Sequence, residues 1–350
     1  MANNIPNKMR GVQLTGYGDF EKLVYSSEIP LPTPKTGDVL IKVSAAGVNN
    51  TDINTRVGWY SKTENKEASW SGKALVFPRI QGADVCGKVV AVGDGVDQAF
   101  LNERVLIEPC LRFFGGKALE HPWYLGSECD GGFSEYCVVS SRHAYKINSK
   151  YSDVELASFP CSYSTAENLL TRAKVVANDV VLVTGASGGV GSAAVQLARA
   201  RGARVIGVAN PSKSEELLRL GAEQVISRGD NIIQALGENS VDVVIDLVGG
   251  ERWADLLDAL KPFGRYAVSG AIAGAFVELD LRTLYLKDIS MFGGTVLDDN
   301  VFANLVKRIE AEEIKPVISG SFPLTKIVEA QKQFALKQFV GKLVLNLSSG

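Results

Sequence analysis

Gly185, Gly188 and Gly189 lie in a short turn between an apolar run, 180–184, and a small-residue stretch, 190–201, whose second residue is Gly191. A β-branched run of that length reads as a buried parallel strand, and the stretch after it reads as a helix. Glycine in the turn permits positive φ, lets a diphosphate approach the backbone and lets helix and strand pack tightly. The N–H groups and positive dipole end of the new helix then face an anion. The strict G-x-G-x-x-G pattern fails, because Ala186 holds its first position; the spacing Gly185-x-x-Gly188-x-x-Gly191 holds instead.

Sulfur and imidazole chemistry is sparse. The five cysteines, Cys86, Cys110, Cys129, Cys137 and Cys161, form no C-x-x-C pair, and their odd number argues against a secreted disulfide framework. There are two histidines, His121 and His143, which excludes a histidine-rich metal site; both are expected in surface or loop positions.

The elements that would carry these residues fall into two patterns. The N-terminal third reads as β-rich, with strands at 12–14, 39–43 and 88–92 between Pro- and Gly-rich punctuation. The polar segment 61–73 reads as a surface loop or insertion, and 111–126 as a second loop. From about residue 151 helices and strands alternate. Strands are expected at 180–184, 204–208, 224–226, 241–247, 265–269 and 289–292, with helices such as 213–220 and 253–260 between them. That alternation predicts right-handed crossovers and a doubly wound parallel sheet. A closing strand is expected at 342–347.

At 350 residues the chain suggests two domains, at a soft prior of roughly 150 residues each. The net charge of −2 carries no basic block, so nucleic acid and anionic membrane are not expected partners. No apolar signal core opens the sequence and no run of about 18 apolar residues occurs, so a soluble, cytoplasmic protein is expected.

Further motifs join the glycine turn: 37–43 (GDVLIKV), Ala46-Gly47-Val48-Asn49 with Asp52, and Gly82-x-Asp84-x-x-Gly87-x-Val89. Gly132-Phe133-x-Glu135-Tyr136, Leu220-Gly221-Ala222, Asp246-x-Val248-Gly249-Gly250 and Gly341-Lys342-Leu343-Val344 complete the set. Together they resemble the medium-chain dehydrogenase/reductase superfamily nearly end to end. The resemblance implies an α/β protein. A GroES-like β-rich catalytic domain (1–150 and 311–350) would accompany a doubly wound Rossmann domain (151–310). It also implies hydride transfer with NAD(P)(H), a small-molecule substrate, and a homodimer formed through the sheet-edge strand at 288–292.

Zinc-dependent members of that superfamily hold the metal with cysteine, histidine and cysteine. Here those positions read Asn49, Ala83 and Cys161, too few donors for a site needing at least three protein ligands. Between Pro109 and Gly131 only Cys110 and Cys129 remain of a structural-zinc lobe. No metal is therefore expected. Val48-Asn49 with Asp52, then Arg56-x-Gly58-x-Tyr60, is similar to the zinc-free quinone oxidoreductase and enone reductase branch. Cys161 and the 127–132 segment are similar to zinc-containing relatives, which gives the chain a mixed character.

An NAD enzyme usually places Asp or Glu at the end of the second Rossmann strand, about 20 residues past the glycine turn. This strand runs instead into Ala209-Asn210-Pro211-Ser212-Lys213. Asn210, Ser212 and Lys213 can donate to a 2′-phosphate that a carboxylate would repel, and Arg228 offers a second cation, so NADPH is the expected cofactor. The resemblance implies further cofactor contacts at Ala186, Ser187, Gly188, Gly189, Val190 and Gly191. It implies others at Asn50, Thr165, Val248, Gly270, Phe292 and Gly293.

By family position Asn49, Asn50 and Tyr60 line the cleft; Asn49 and Tyr60 are the catalytic candidates, orienting nicotinamide and acceptor. Tyr60 could donate a proton or serve as pocket wall. Asp52 is expected to be structural and Cys161 a buried small residue. Without zinc, hydride donation to a quinone or enone demands less stabilisation than reaction at an isolated carbonyl or alcohol. A zinc-independent carbonyl reductase or alcohol dehydrogenase, and a non-enzymatic NADPH-binding protein, remain the alternatives.

Overall fold

The computed structural model describes residues 5–61 and 72–348, so most of the polar 61–73 segment lies outside the described residues. The chain forms two compact units. Unit 1 comprises Met1–Cys161, Ile318–Gln338 and Lys342–Gly350; unit 2 comprises Ser162–Val317 and Phe339–Gly341.

Unit 1 is built on strands. β1 (Lys8–Leu14) lies between β2 (Leu23–Pro30) and the short β4 (Arg79–Ile80), both antiparallel to it. β3 (Asp38–Val48) runs antiparallel to β5 (Asp84–Val92), which pairs in turn with β6 (Arg104–Ile107). β7 (Cys110–Phe114) and β8 (Lys117–Tyr124) form a hairpin; β9 (Tyr136–Ser140) pairs with β3, and β10 (Ala144–Lys146) with β6. The expected loop at 111–126 is therefore a hairpin. Its strands carry few alternating apolar residues, and Gly115-Gly116, both at positive φ, make the reversal.

Unit 2 is a six-stranded, wholly parallel sheet. Its strands are β11 (Val180–Val183), β12 (Arg204–Ala209), β13 (Gln224–Ser227), β14 (Val241–Asp246), β15 (Leu260–Val268) and β16 (Ser290–Gly293). Their order is β13-β12-β11-β14-β15-β16, the doubly wound arrangement expected. Val181, Leu182 and Val183 have no exposure, because helices cover both faces of the central strands. The helix expected through residue 260 stops at Ala259, since Leu260 already pairs with Val241 as the start of β15. Strand order reverses between β11 and β14, and the crevice at their carboxyl ends is where open α/β sheets take ligands.

The chain then adds β17 (Ile318–Pro323) and β18 (Lys342–Asn346) to the large sheet of unit 1, β18 lying beside β3. This register sets Gly47 opposite both Asp84 of β5 and Val344 of β18. A Cβ on Gly47 would sit 2.5 Å from Asp84 Oδ2, so glycine is what leaves room for the carboxylate. Asp84 has no exposure, and Lys342, 2% exposed, donates to it across 2.7 Å. Replacing Lys342 by Met should cost about 3–5 kcal/mol, because a buried carboxylate loses its cation. In urea unfolding of unit 1, Lys342→Met combined with Asp84→Asn should regain most of that loss. No recovery in the double variant would mean that packing, not charge, is at stake.

Candidate functional site

In unit 2 the turn after β11 reverses at Gly185, φ +59°, and passes into the helix Gly189–Ala200. A Cβ on Gly191 would lie 2.2 Å from Gly185 O, so no side chain fits there without displacing the turn. Gly188 caps the helix without a side chain, and the first i→i−4 bond runs from Ser192 N to Gly188 O at 2.8 Å. The N–H groups of Gly189, Val190 and Gly191 precede that bond and have no intrahelical acceptor. Ala186 is buried and ties the turn to β12 through Val208 O, while Ser187 Oγ accepts from Lys213 Nζ at 3.3 Å.

At the end of β12, Asn210 Oδ1 accepts from both the N–H and the hydroxyl of Ser212, at 3.0 and 2.9 Å. That cap turns the chain so that Lys213 reaches the glycine turn. Burial and the neighbouring Arg228 both lower the Lys213 pKa, so two cations are held facing one region. Arg252 fixes the Arg228 backbone, donating to Arg228 O at 2.6 Å and to Asp230 O. The expected cluster Ser187, Asn210, Ser212, Lys213 and Arg228 is thus assembled around one corner of the turn.

The other side of the crevice is organised by Asp246, at the end of β14. Its Oδ1 accepts from Thr184 Oγ1 at 2.6 Å and from the N–H groups of Val248 and Gly249 at 3.0 and 3.2 Å; its Oδ2 accepts from Tyr266 at 2.6 Å. Gly270 leaves no space for a Cβ, which would lie 2.6 Å from Leu247 O. Gly249, Trp253, Tyr266, Gly270, Phe292 and Gly293 line a shallow cavity of about 310 Å³. Thr165 is half-buried on the helix Pro160–Arg172.

In unit 1, Asn49 starts the helix Asn50–Arg56, its N–H donating to Asp52 Oδ2 at 2.7 Å. Its carboxamide, expected to face cofactor and acceptor, is committed to the buried pair. Nδ2 donates to Asp84 Oδ2 at 2.7 Å, and Oδ1 accepts from Lys342 Nζ. A lysine only donates and a carboxylate only accepts, so these partners fix which way the amide points. Asn50 exchanges hydrogen bonds with Asn54 and Lys337, at 3.1 and 3.2 Å. Tyr60 is half-buried; its hydroxyl donates to Thr51 Oγ1 at 3.0 Å and its ring meets Trp59 edge to face. Arg56 is buried, bonded to Gly18 O and packed over Phe20, a structural role.

The three positions where the resemblance places zinc ligands are poorly suited to a metal here. Ala83 has no donor atom. Asn49 Oδ1 is taken by Lys342. Cys161 Sγ lies 2.9 Å from the Tyr124 hydroxyl, and burial pushes its thiol up to about 12. Among the described residues no three His, Cys, Asp or Glu side chains converge as a metal site.

His143 corrects an expectation. It is 3% exposed rather than a surface residue; its Nε2 accepts from the N–H groups of Arg112 and Phe113 at 2.9 and 3.1 Å, and its Nδ1 meets Glu108 Oε2 at 3.0 Å. Two donors on Nε2 leave the proton on Nδ1, so the ring pins the root of the β7–β8 hairpin. His121 is exposed, as expected. Sequence reasoning also gave no role to Asp84, Lys342, Thr184, Asp246 or Tyr266. Three of these lay in motifs already noted, but their partners come from strands far apart in sequence.

Residues 35–149 match the family model of the alcohol dehydrogenase GroES-like domain, and residues 189–311 that of zinc-binding dehydrogenase. Human quinone oxidoreductase is 31% identical over 353 residues, covering 97% of this chain and 98% of that protein. An NAD-dependent alcohol dehydrogenase of Saccharolobus solfataricus is 30% identical, covering 96% and 99%. A solved structure from Sinorhizobium meliloti assigned to the alcohol dehydrogenases is 45% identical with a TM-score of 0.91, covering 98% of each chain.

Burial raises the Asp52 carboxyl to about 7. The unfolded chain has this group near 3.9, so the folded state binds the extra proton between those values and stability falls as pH rises from about 4 to 7. The slope from this group is at most about 1.4 kcal/mol per pH unit. Asp52→Asn should flatten the stability profile in that window, read from thermal melts at successive pH values. An unchanged profile would place the Asp52 titration outside it.

Proposed function

The chain belongs to the medium-chain dehydrogenase/reductase superfamily, and on that premise we propose an NADPH-dependent oxidoreductase acting on a quinone or α,β-unsaturated carbonyl without zinc. It is an oxidoreductase of that superfamily; the cofactor preference, the acceptor and the independence from metal are our reading. The observation that carries it is the donor set at Asn49, Ala83 and Cys161, which offers no Lewis-acid site for an isolated carbonyl. Human quinone oxidoreductase, similar over nearly the whole chain, favours the same acceptor class.

The glycine cradle fits a dinucleotide, since Gly191 lets the helix start close against the Gly185 carbonyl and three N–H groups at that start await an anion. Bound there, a nicotinamide cofactor supplies the hydride. Lys213 and Arg228, with Asn210 and Ser212, hold the 2′-phosphate, and no carboxylate ends β12 to accept ribose hydroxyls instead. Val248, Gly270, Phe292 and Gly293 shape the opposite side of the crevice, and Thr165 contributes a hydroxyl; for Asn50, in unit 1, a cofactor contact is what the family position implies. In unit 1, Asn49 holds the start of the helix Asn50–Arg56 to the Asp84–Lys342 pair. Tyr60, its hydroxyl on Thr51, offers a proton to the reduced acceptor. Conjugation spreads the charge that builds on the acceptor, so a hydrogen-bond donor or water suffices beside it.

Lys213→Glu should weaken NADPH binding at least about tenfold, the scale of a charge-assisted hydrogen bond, and leave NADH nearly unchanged. Equal loss for both cofactors, in fluorescence titrations, would reduce Lys213 to a structural lysine. A wild-type preference for NADH would overturn the cofactor assignment.

With deuterated NADPH, a chelator and an enone, we expect deuterium at the β-carbon and a saturated ketone, or hydroquinone from a quinone. Tyr60→Phe should slow turnover about tenfold or less, because solvent can also supply the proton. An allylic alcohol as main product would favour a carbonyl reductase, the reading that the Saccharolobus relative supports. Loss of activity to the chelator would refute zinc independence. Tight NADPH binding without turnover of any acceptor would indicate a binding protein.

A further inference from the structure

Asp246 is a carboxylate with no exposure, placed where strand order reverses, and the nucleotide reading gives it no task. Its side-chain partners are two hydroxyls, of Thr184 and Tyr266, and two backbone N–H groups, of Val248 and Gly249. Among the described residues no lysine or arginine forms an ion pair with it. Four neutral donors stabilise a negative charge without cancelling it, so a net charge stays fixed at the floor of the crevice. Burial first, and then Asp246, raise the pKa of the Tyr266 hydroxyl, which keeps it a donor to the carboxylate.

A dinucleotide straddles the reversal point, one half on each side. The cations Lys213 and Arg228 stand beyond β12 and β13, which would hold the adenosine half there. The nicotinamide half would then lie over β14, β15 and β16, where the cavity lined by Tyr266, Gly270 and Phe292 opens. Giving up a hydride leaves the nicotinamide ring one unit more positive, while the acceptor takes both electrons and the hydrogen.

We propose that Asp246 is an electrostatic residue of the reaction: its buried charge, acting through the low-dielectric crevice floor, favours the oxidised nicotinamide over the reduced one. This biases the enzyme-bound equilibrium toward hydride donation. The proposal rests on the nicotinamide reading above and holds with or without the 2′-phosphate.

Asp246→Asn tests it with little change of shape. The amide oxygen can accept from Thr184, Val248 and Gly249, and the amide nitrogen can donate to the Tyr266 oxygen. Dissociation constants of NADP⁺ and NADPH, measured by titration of the full chain, should diverge. The ratio of the NADP⁺ constant to the NADPH constant should rise about tenfold, mainly through weaker NADP⁺ binding. Tyr266→Phe removes a hydrogen bond but keeps the charge, and should move the ratio the other way, by about twofold. A purely structural Asp246 would weaken both forms alike in both variants, and that result overturns the proposal. If Asp246→Asn does not fold, the direction of the Tyr266→Phe shift decides alone. Failure of the wild type to bind any nicotinamide dinucleotide would overturn the functional reading itself, a result distinct from an unmoved ratio.

Discussion

A carboxylate fully removed from water needs a cation and hydrogen bonds, or its burial costs several kcal/mol. Asp84 meets that requirement through Lys342, the Asn49 amide and the Cys161 N–H. These partners arrive from β18, from the N-cap of the helix Asn50–Arg56 and from the end of unit 1's first segment. The pair therefore fixes where β18 docks, how that helix begins and where Tyr60 ends up. Gly47 is part of the same constraint, since any side chain there would collide with the carboxylate. A well-packed apolar cluster could be as stable. It would not orient the Asn49 amide.

Unit 2 solves a related problem with the opposite charge balance. The loops after β11 and β14 must leave N–H groups open to a ligand, yet they lie at the end of a buried sheet. Asp246 satisfies the N–H groups that face inward and joins the loops through Thr184, so the open donors are confined to the start of the helix Gly189–Ala200. Across the reversal point, Lys213 and Arg228 concentrate positive charge. The crevice thus carries a cationic end and an anionic end, set by residues on different strands.

The family likeness and the altered ligand positions fit together through unit 1. The matched GroES-like and dehydrogenase segments cover β3 to β10, β12 to β16 and the helix that follows the glycine turn. What stands out is local: the resemblance places metal donors where Asn49 and Ala83 stand, and the Asn49 oxygen is turned toward a lysine. A scaffold shared with alcohol dehydrogenases and quinone oxidoreductases can therefore carry different chemistry through a few side chains in one corner.

The sequence by itself determined the parallel sheet, because apolar β-branched runs separated by helical periodicity admit few other arrangements. It determined the glycine turn too, since the φ of Gly185 favours glycine and no Cβ fits at Gly191. The unacidic end of β12 was equally readable, being a matter of residue type at a fixed offset. Strand edges were blurred where a buried acid, such as Asp84, interrupted the apolar pattern, and the β7–β8 hairpin was hidden by its weak alternation. Only the tertiary structure decided what the charged and polar residues do. Asp84 meets Lys342 from 258 positions away, His143 turns inward to two N–H groups, and Asp246 joins Thr184 across 62 positions. Polar partners are chosen by strand register and burial, and neither is written in the local spacing of the residues they unite.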